Sequence, residues 1–223
     1  KVTQGKELGR GGFGGVSEAF VEVNDDKVGF AIKQYDSKDE AEGAMKNYLE
    51  AKKAGLRVFP TCRISEDGLS LIMTTGHKPD WTCVGSNNSN AGGSLESLGL
   101  SKMESIKNLD DFLEAYFGQA EIADRAGVVI FIDVPFFFVG RGGVDSRLDF
   151  VLGDCDNLLK VTNTQFVNLY TTNVNNLSVA LEEFLNRNVN NPQNYLNRMK
   201  QFVLLLISEG EDNAFDLLKN NLK

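Results

Sequence analysis

Three glycines and a lysine near the start of the chain have the types and spacing of a phosphate-binding site. Gly9, Gly11 and Gly14 form the pattern G-x-G-x-x-G, and Lys33 follows after a segment of strand-like character. Glycine has no Cβ, so its backbone can approach phosphate oxygens and point N–H groups at the negative charge. A lysine on a neighbouring strand adds a positive charge to the α- and β-phosphates. These residues predict a nucleotide site; the competing interpretation is a glycine-rich turn that binds nothing.

The residues around the glycines alternate like strands. Residues 2–23 predict two strands joined by the glycine loop, and residues 28–35 predict a third strand that carries Lys33. A dinucleotide-binding G-x-G-x-x-G would need a helix that begins at the glycines. Residues 17–23 read as a strand instead, so that class of site is excluded.

The fuller pattern resembles the glycine-rich loop and third-strand lysine of the protein kinase family. Phe13 precedes the third glycine, Val16 follows it by two positions, and Ala31-Ile32-Lys33 comes one hairpin later. The resemblance implies that Gly9, Gly11, Gly14 and Val16 cover ATP while Lys33 holds its phosphates.

The same resemblance, fairly specific over residues 3–76, implies an α+β fold. The implied fold is two-lobed and protein-kinase-like, with a five-stranded antiparallel N-lobe over residues 1–76. A trimmed, mainly helical C-lobe would occupy residues 77–223. The strands expected at 57–65 and 69–74 would complete the N-lobe, and Thr74-Thr75-Gly76 is the hinge candidate.

A helix is expected over residues 38–54. Ser37 is a plausible N-cap with Glu40 three residues on, as in a capping box, and Gly55 ends the helix. In the kinase resemblance this helix supplies the carboxylate that holds the lysine. Its position along the helix favours Glu50 for that role, with Glu40 and Glu42 as competitors and a solvated glutamate as the alternative.

Helices are also expected in the second half of the chain. Residues 108–125 carry apolar side chains at three- and four-residue spacing, as in an amphipathic helix. Three further helices are expected over residues 173–188, 191–208 and 213–222. Residues 84–101, polar and glycine-rich at their start, are expected to form a loop.

The resemblance to kinases is partial in the segment where the catalytic aspartate belongs. Asp133 lies between an apolar stretch and Pro135, where it would accept the proton of the substrate hydroxyl. The family's His-Arg pair is replaced here by Phe131-Ile132. Its metal-binding asparagine is replaced by Phe137 or Phe138.

Two further aspartates follow an apolar strand expected at residues 148–152. Asp154 lies where a magnesium ligand is expected, and Asp156 and Asn157 offer additional oxygens. Asp149 is the rival because Asp149-Phe150 keeps the Asp-Phe pair of the family. A polar turn without ligand is the competing interpretation.

The bulk composition limits the class of partner and compartment. The 223 residues carry a formal net charge of −8, which argues against nucleic acid as a main partner. Three separated cysteines and one histidine provide neither a disulfide framework nor a zinc site, so a reducing compartment is expected. The apolar runs are too short to span a membrane. We therefore expect a soluble, cytoplasmic protein.

Together these features predict an ATP- and Mg²⁺-dependent serine/threonine protein kinase, an atypical transferase that acts on a protein substrate. Its trimmed C-lobe is typical of bacterial effectors, and an effector would be delivered into a host cell and act on a host protein. The alternatives are a pseudokinase that serves as a binding scaffold, and a kinase-fold enzyme that transfers another group such as AMP.

Overall fold

The computed structural model describes residues 2–11, 14–23, 26–74, 81–85, 93–142, 145–160 and 168–209. Within these ranges the chain is α+β, as expected, with four α-helices and eleven strands. The helices are α1 Lys38–Ala54, α2 Leu109–Ala126, α3 Leu169–Asn188 and α4 Gln193–Glu209. The strands are β1 Val2–Gly11, β2 Gly14–Val23, β3 Asp26–Gln34, β4 Thr61–Ile64, β5 Ser70–Thr74, β6 Trp81–Gly85, β7 Ser105–Ile106, β8 Val128–Ile130, β9 Pro135–Gly142, β10 Asp145–Leu152 and β11 Leu158–Lys160.

The first sheet brings the glycine motif and the lysine into register. Among the described residues it holds five antiparallel strands in the order β1-β2-β3-β5-β4. Gly11 pairs with Gly14 and Gly9 pairs with Val16, and Val16 in turn pairs with Lys33 on β3. The strands expected around the glycines and at Lys33 are therefore confirmed. Phe13, Thr75 and Gly76 lie outside the described residues.

Helix α1 has the bounds and both end signals that were expected. The Ser37 side chain accepts a hydrogen bond from the Glu40 backbone N–H, and the Glu40 carboxylate accepts one from the Ser37 N–H. This reciprocal pair satisfies two amide donors that a helix start leaves without partners. Gly55 ends the helix with φ 90°, a left-handed conformation that glycine adopts without a Cβ clash.

The second half of the chain forms two smaller sheets. A four-stranded sheet has the order β6-β9-β10-β7, and a two-stranded sheet joins β8 to β11. Pairing in the β9–β10 hairpin runs from Gly142 opposite Asp145 to Pro135 opposite Leu152. In the antiparallel β8–β11 pair, Ile130 lies opposite Leu158.

The helices cover these sheets with a continuous apolar core. Helix α2 buries Phe112, Tyr116 and Phe117 on the face that its apolar spacing predicted. The core continues through α3 and α4, which confirms the two helices expected at 173–188 and 191–208, although α3 begins four residues earlier. The third expected helix, residues 213–222, lies outside the described residues. In the part of the chain that the structure describes, no helix combines the length and apolar character that a membrane crossing requires.

Candidate functional site

Lys33 meets two carboxylates that lie more than 120 residues later in the chain. Its Nζ donates to Asp154 Oδ1 at 2.8 Å and to Asp156 Oδ2 at 2.5 Å. The exposed fractions of the three side chains are 13% for Lys33, 22% for Asp154 and 11% for Asp156. The structure therefore brings together the lysine of the glycine motif and both predicted metal ligands, in a place that is partly closed to solvent.

Tyr35 completes this cluster. Its hydroxyl lies 3.2 Å from Asp156 Oδ1 and 3.0 Å from Oδ2, and it donates to that carboxylate. Its ring centroid is 5.4 Å from Lys33 Nζ, within cation–π range. The sequence analysis missed Tyr35, although strand alternation contained the signal, since residues two apart on an extended chain share a face.

The surroundings of Lys33 favour the protonated, positively charged form of its side chain. Burial by itself would lower the pKa of Lys33, but the negative charges of Asp154 and Asp156 and the hydrogen bonds to them outweigh it. The pKa is held above its ordinary value of 10.5. Burial, reinforced by the charge of Asp156, raises the pKa of Tyr35, so the phenol stays a neutral hydrogen-bond donor.

The Asp154 segment is fixed by close packing and backbone hydrogen bonds. A Cβ on Gly153 would lie 2.7 Å from the Phe136 ring and 2.8 Å from the Phe59 ring, so only glycine fits there without a shift. The N–H groups of Gly153 and Asp154 donate to the Val134 carbonyl at 3.0 and 3.3 Å. Asp154 is therefore held at the point where β10 ends.

Asp133 lies in the turn that faces this segment. The turn connects β8 to β9, and the Asp154–Asp156 segment connects β10 to β11. Since β8 pairs with β11 and β9 pairs with β10, the two connections lie side by side. Asp133 immediately precedes Val134, whose carbonyl accepts the two hydrogen bonds from the neighbouring turn. Phe131 and Ile132, where the kinase resemblance would have His-Arg, are exposed.

Strand β8 is fixed on its other side by an asparagine of α3. Asn173 is fully buried; its Oδ1 accepts from the Ile130 N–H at 2.8 Å and its Nδ2 donates to the Val128 carbonyl at 2.9 Å. The Asn173 amide thus provides the hydrogen-bond partners that a neighbouring strand would otherwise give to these backbone groups. The strand leading to Asp133 is anchored between β11 and α3.

Glu50 does not hold Lys33, so this predicted contact was wrong. The Glu50 side chain is 49% exposed and its carboxylate lies 3.9 Å from Lys160 Nζ. The competing Glu40 closes the capping box with Ser37. The lysine obtains its carboxylate partners from the segment after β10 instead.

Asp149, the rival of Asp154, belongs to a different ion pair. Its Oδ1 lies 2.6 Å from Arg57 Nη2. The Arg57 guanidinium also lies 4.9 Å from the Phe150 ring centroid. This arrangement supports the preference for Asp154 as the aspartate of the lysine site.

The donor set fits a divalent cation that arrives with a phosphate ligand. Mg²⁺ is usually bound by one or two carboxylates together with substrate phosphates and water. Within the described ranges, the structure places two carboxylates, those of Asp154 and Asp156, against the Lys33 ammonium. Among the described residues, no three cysteine, histidine, aspartate or glutamate side chains come together as a metal cage.

Phe137 and Phe138, at the position where the kinase resemblance would have an asparagine, are buried in the core. The Asn157 side chain lies outside the described part.

Two buried thiols lie near the cluster. Burial and then the charge of Asp156 raise the pKa of Cys62 to about 11. Burial likewise raises the pKa of Cys155, which lies between the two aspartates in sequence. Both cysteines and Cys83 are free thiols.

No known family model matches the sequence, and no curated protein matches it significantly.

Proposed function

We propose that this chain binds ATP with Mg²⁺ and transfers the γ-phosphoryl group to a Ser or Thr hydroxyl of a protein, on a minimal, divergent kinase-like fold. In this proposal β1–β5 and α1 form the nucleotide-covering lobe, and the rest of the chain forms a reduced second lobe. The observation that carries the proposal is the contact of Lys33 with Asp154, which lie 121 residues apart in the chain.

The order of elements supports the same interpretation. A glycine hairpin lies in register with Lys33, and α1 follows the lysine strand. Two aspartate turns lie side by side next to the Lys33 cluster. A nucleotide between the hairpin and these turns would meet backbone N–H groups, the Lys33 ammonium and the Asp154 carboxylate, which can hold a metal.

The proposed roles follow from the chemistry of each group. The Lys33 ammonium would bind α/β-phosphate oxygens, and the Asp154 carboxylate would hold Mg²⁺, which would neutralise phosphate charge. The substrate hydroxyl oxygen attacks the γ-phosphorus as the bond to the β–γ bridging oxygen breaks. ADP leaves with the bond electrons, and Asp133 accepts the hydroxyl proton. Positioning and charge stabilisation account for most of the rate in such a site.

The experiment that tests this proposal is incubation of the pure chain with γ-³²P-ATP and Mg²⁺, alone and with a cell lysate. We expect label on the chain or on a lysate protein. Lys33→Met and Asp154→Asn should each reduce it by about 100-fold or more, since each removes a charge that would orient and stabilise the triphosphate. The matched controls are Lys53→Met and Asp111→Asn, both at exposed helix positions.

The alternatives give different outcomes when the incubation is repeated with α-³²P-ATP and nucleotide binding is measured by thermal shift. Nucleotide binding without transfer would indicate a pseudokinase. Label from α-³²P-ATP but not from γ-³²P-ATP would indicate transfer of AMP. Absence of both transfer and nucleotide binding would contradict the proposal.

A further inference from the structure

Lys33 is held by an arrangement in which Tyr35 and Asp156 act together. Lys33 and Tyr35 are two residues apart on one extended segment, so their side chains share a face. The Tyr35 ring lies under the ammonium, and its hydroxyl lies between both oxygens of Asp156. The Asp156 carboxylate in turn accepts a hydrogen bond from Lys33 Nζ at 2.5 Å. The three groups form a closed triangle of contacts.

The triangle is enclosed and fixed on each side. Tyr35 is buried, with its N–H donating to the Leu69 carbonyl at 2.9 Å. Asp156 lies in the single turn Cys155–Asn157, which packs against α1. Asp156 is thus the less exposed of the two aspartates on Lys33.

We infer that Asp156, fixed by Tyr35, is the carboxylate that orients Lys33, and that Asp156 is therefore a positioning residue and not a metal ligand. It fills the role expected of a glutamate on α1, whereas Glu50 is directed to Lys160. Asp154, at the end of β10, then supplies the carboxylate for the metal. The inference rests on the proposed function for what Lys33 binds, but the triangle itself is independent of it.

Charge and geometry both favour Asp156 as the residue that orients Lys33 and Asp154 as the metal ligand. The Asp156 carboxylate already receives an ammonium hydrogen bond and a phenol hydrogen bond, and a metal would have to displace one of them. Charge-assisted hydrogen bonds of this kind are stronger than those between neutral groups. A neutral phenol donor stabilises the carboxylate without adding a charge that would repel a cation.

The first test is a double-mutant cycle on thermal unfolding, which needs neither nucleotide nor activity. The variants are Lys33→Met and Asp156→Asn, singly and together, with Lys33→Met and Glu50→Gln as the matched control cycle. Residues in direct contact give non-additive effects, whereas independent residues add. We expect the Lys33/Asp156 double variant to melt no lower than the worse single variant, and the Lys33/Glu50 shifts to add. Additive shifts for Lys33 and Asp156 would overturn the inference.

The second test separates positioning from metal binding in the transfer reaction. Asp156→Asn should lower kcat by about 100-fold, as for a misplaced group, while the Mg²⁺ concentration for half-maximal rate stays at the wild-type value. Asp154→Asn should raise that concentration. Adding Asp156→Asn to Lys33→Met should cause no further loss of rate, because Asp156 would act only through Lys33. If Asp156→Asn merely damaged the fold, the double variant would be slower than Lys33→Met alone. A raised Mg²⁺ requirement in Asp156→Asn would overturn the inference.

Tyr35→Phe provides a milder variant that keeps the buried ring. It should reproduce part of the Asp156→Asn loss of kcat, and combining it with Asp156→Asn should add little. A Tyr35→Phe rate equal to that of the wild type would contradict the role of the hydroxyl.

If the wild type transfers no phosphate at all, the proposed function fails. The unfolding cycle alone then decides whether Asp156 holds Lys33.

Discussion

Two ion-paired sites, Arg57 with Asp149 and Lys33 with Asp154 and Asp156, connect the N-terminal half of the chain to strand β10 and the turn after it. They differ in the number of carboxylates that each cation contacts. Arg57 meets one carboxylate, Asp149, and the exposed fractions of the two side chains are 42% and 24%. Lys33 meets two carboxylates, and all three side chains are more enclosed. Among the described residues, the first site pairs one cation with one carboxylate, whereas the second gathers two carboxylates around one ammonium.

The difference supports the role proposed for the Lys33 site. A half-exposed, one-to-one pair contributes little free energy and is common as a structural feature. Two carboxylates held together on one cation oppose each other and favour binding of additional positive charge. Titratable groups gathered in this way are typical of functional sites. We therefore expect the two pairs to respond differently to matched substitutions.

Replacing the two cations should give the largest contrast. Lys33→Met should reduce phosphoryl transfer by about 100- to 1,000-fold, because the phosphates lose their positive partner. Arg57→Met should keep most of the activity and lower only the melting temperature. The check is the initial rate of transfer from γ-³²P-ATP, with folding of each variant verified by circular dichroism. Equal losses of rate in both variants would remove the contrast.

The aspartate partners allow the same comparison with one type of substitution. Asp154→Asn should lose transfer and need more Mg²⁺. Asp149→Asn should retain transfer and lower the free energy of unfolding by at most about 1 kcal/mol, as for a partly exposed pair. Denaturant titration and a Mg²⁺ titration of the rate measure the two effects. Loss of transfer in Asp149→Asn alone would identify it as the metal-binding aspartate.

A glycine substitution can displace Asp154 without altering any charge. Gly153→Ala places a methyl group against the rings of Phe59 and Phe136, which should lower the free energy of unfolding by about 1–3 kcal/mol. Transfer should fall as well, although both ion pairs keep their residues. Gly43→Ala is the matched control, since nothing lies within 4 Å of its added Cβ. At that position in α1, alanine should stabilise the fold by about 1 kcal/mol. Denaturant titration of both variants measures the difference.

The smallest expected effect is on the pKa of the Cys62 thiol, which the charge of Asp156 helps to raise. Its pKa is raised to about 11 by burial and by Asp156, so alkylation at pH 8 should be slow in the folded protein. Because the folded pKa is raised, the neutral thiol contributes stability below pH 9. That contribution is lost as the pH rises towards 11. Asp156→Asn should lower this pKa and speed alkylation a few-fold, measured by mass spectrometry. An unchanged rate would mean that Lys33 already cancels the charge of Asp156.

Individual helices and strands could be predicted because the sequence signals for them lie within the element itself. The capping box of Ser37 and Glu40 and the stop at Gly55 specified α1 with its observed bounds, and apolar spacing specified α2 to within one residue. Short-range hydrogen bonds and side-chain periodicity determine such elements. The glycine hairpin and the Lys33 strand followed from the same kind of pattern.

The partners of Lys33 were predicted only in part. The sequence pointed to Asp154 and Asp156 as ligands of one site, but it assigned Lys33 to Glu50. Helix spacing places Glu50 on α1 without specifying which way that side of the helix faces. The rotation of α1 depends on its packing against the sheet and against the turn Cys155–Asn157.

The sequence by itself determined the elements and the chemical groups: a glycine hairpin, a lysine strand, a capped helix and two aspartate turns. Only the tertiary structure decided which carboxylates meet the lysine. Asp154 and Asp156 lie more than 100 residues from Lys33. Their approach depends on strand pairing between β8 and β11 and between β9 and β10, and on the close contact at Gly153. No local pattern encodes these contacts, since they arise from packing between elements that are distant in the chain.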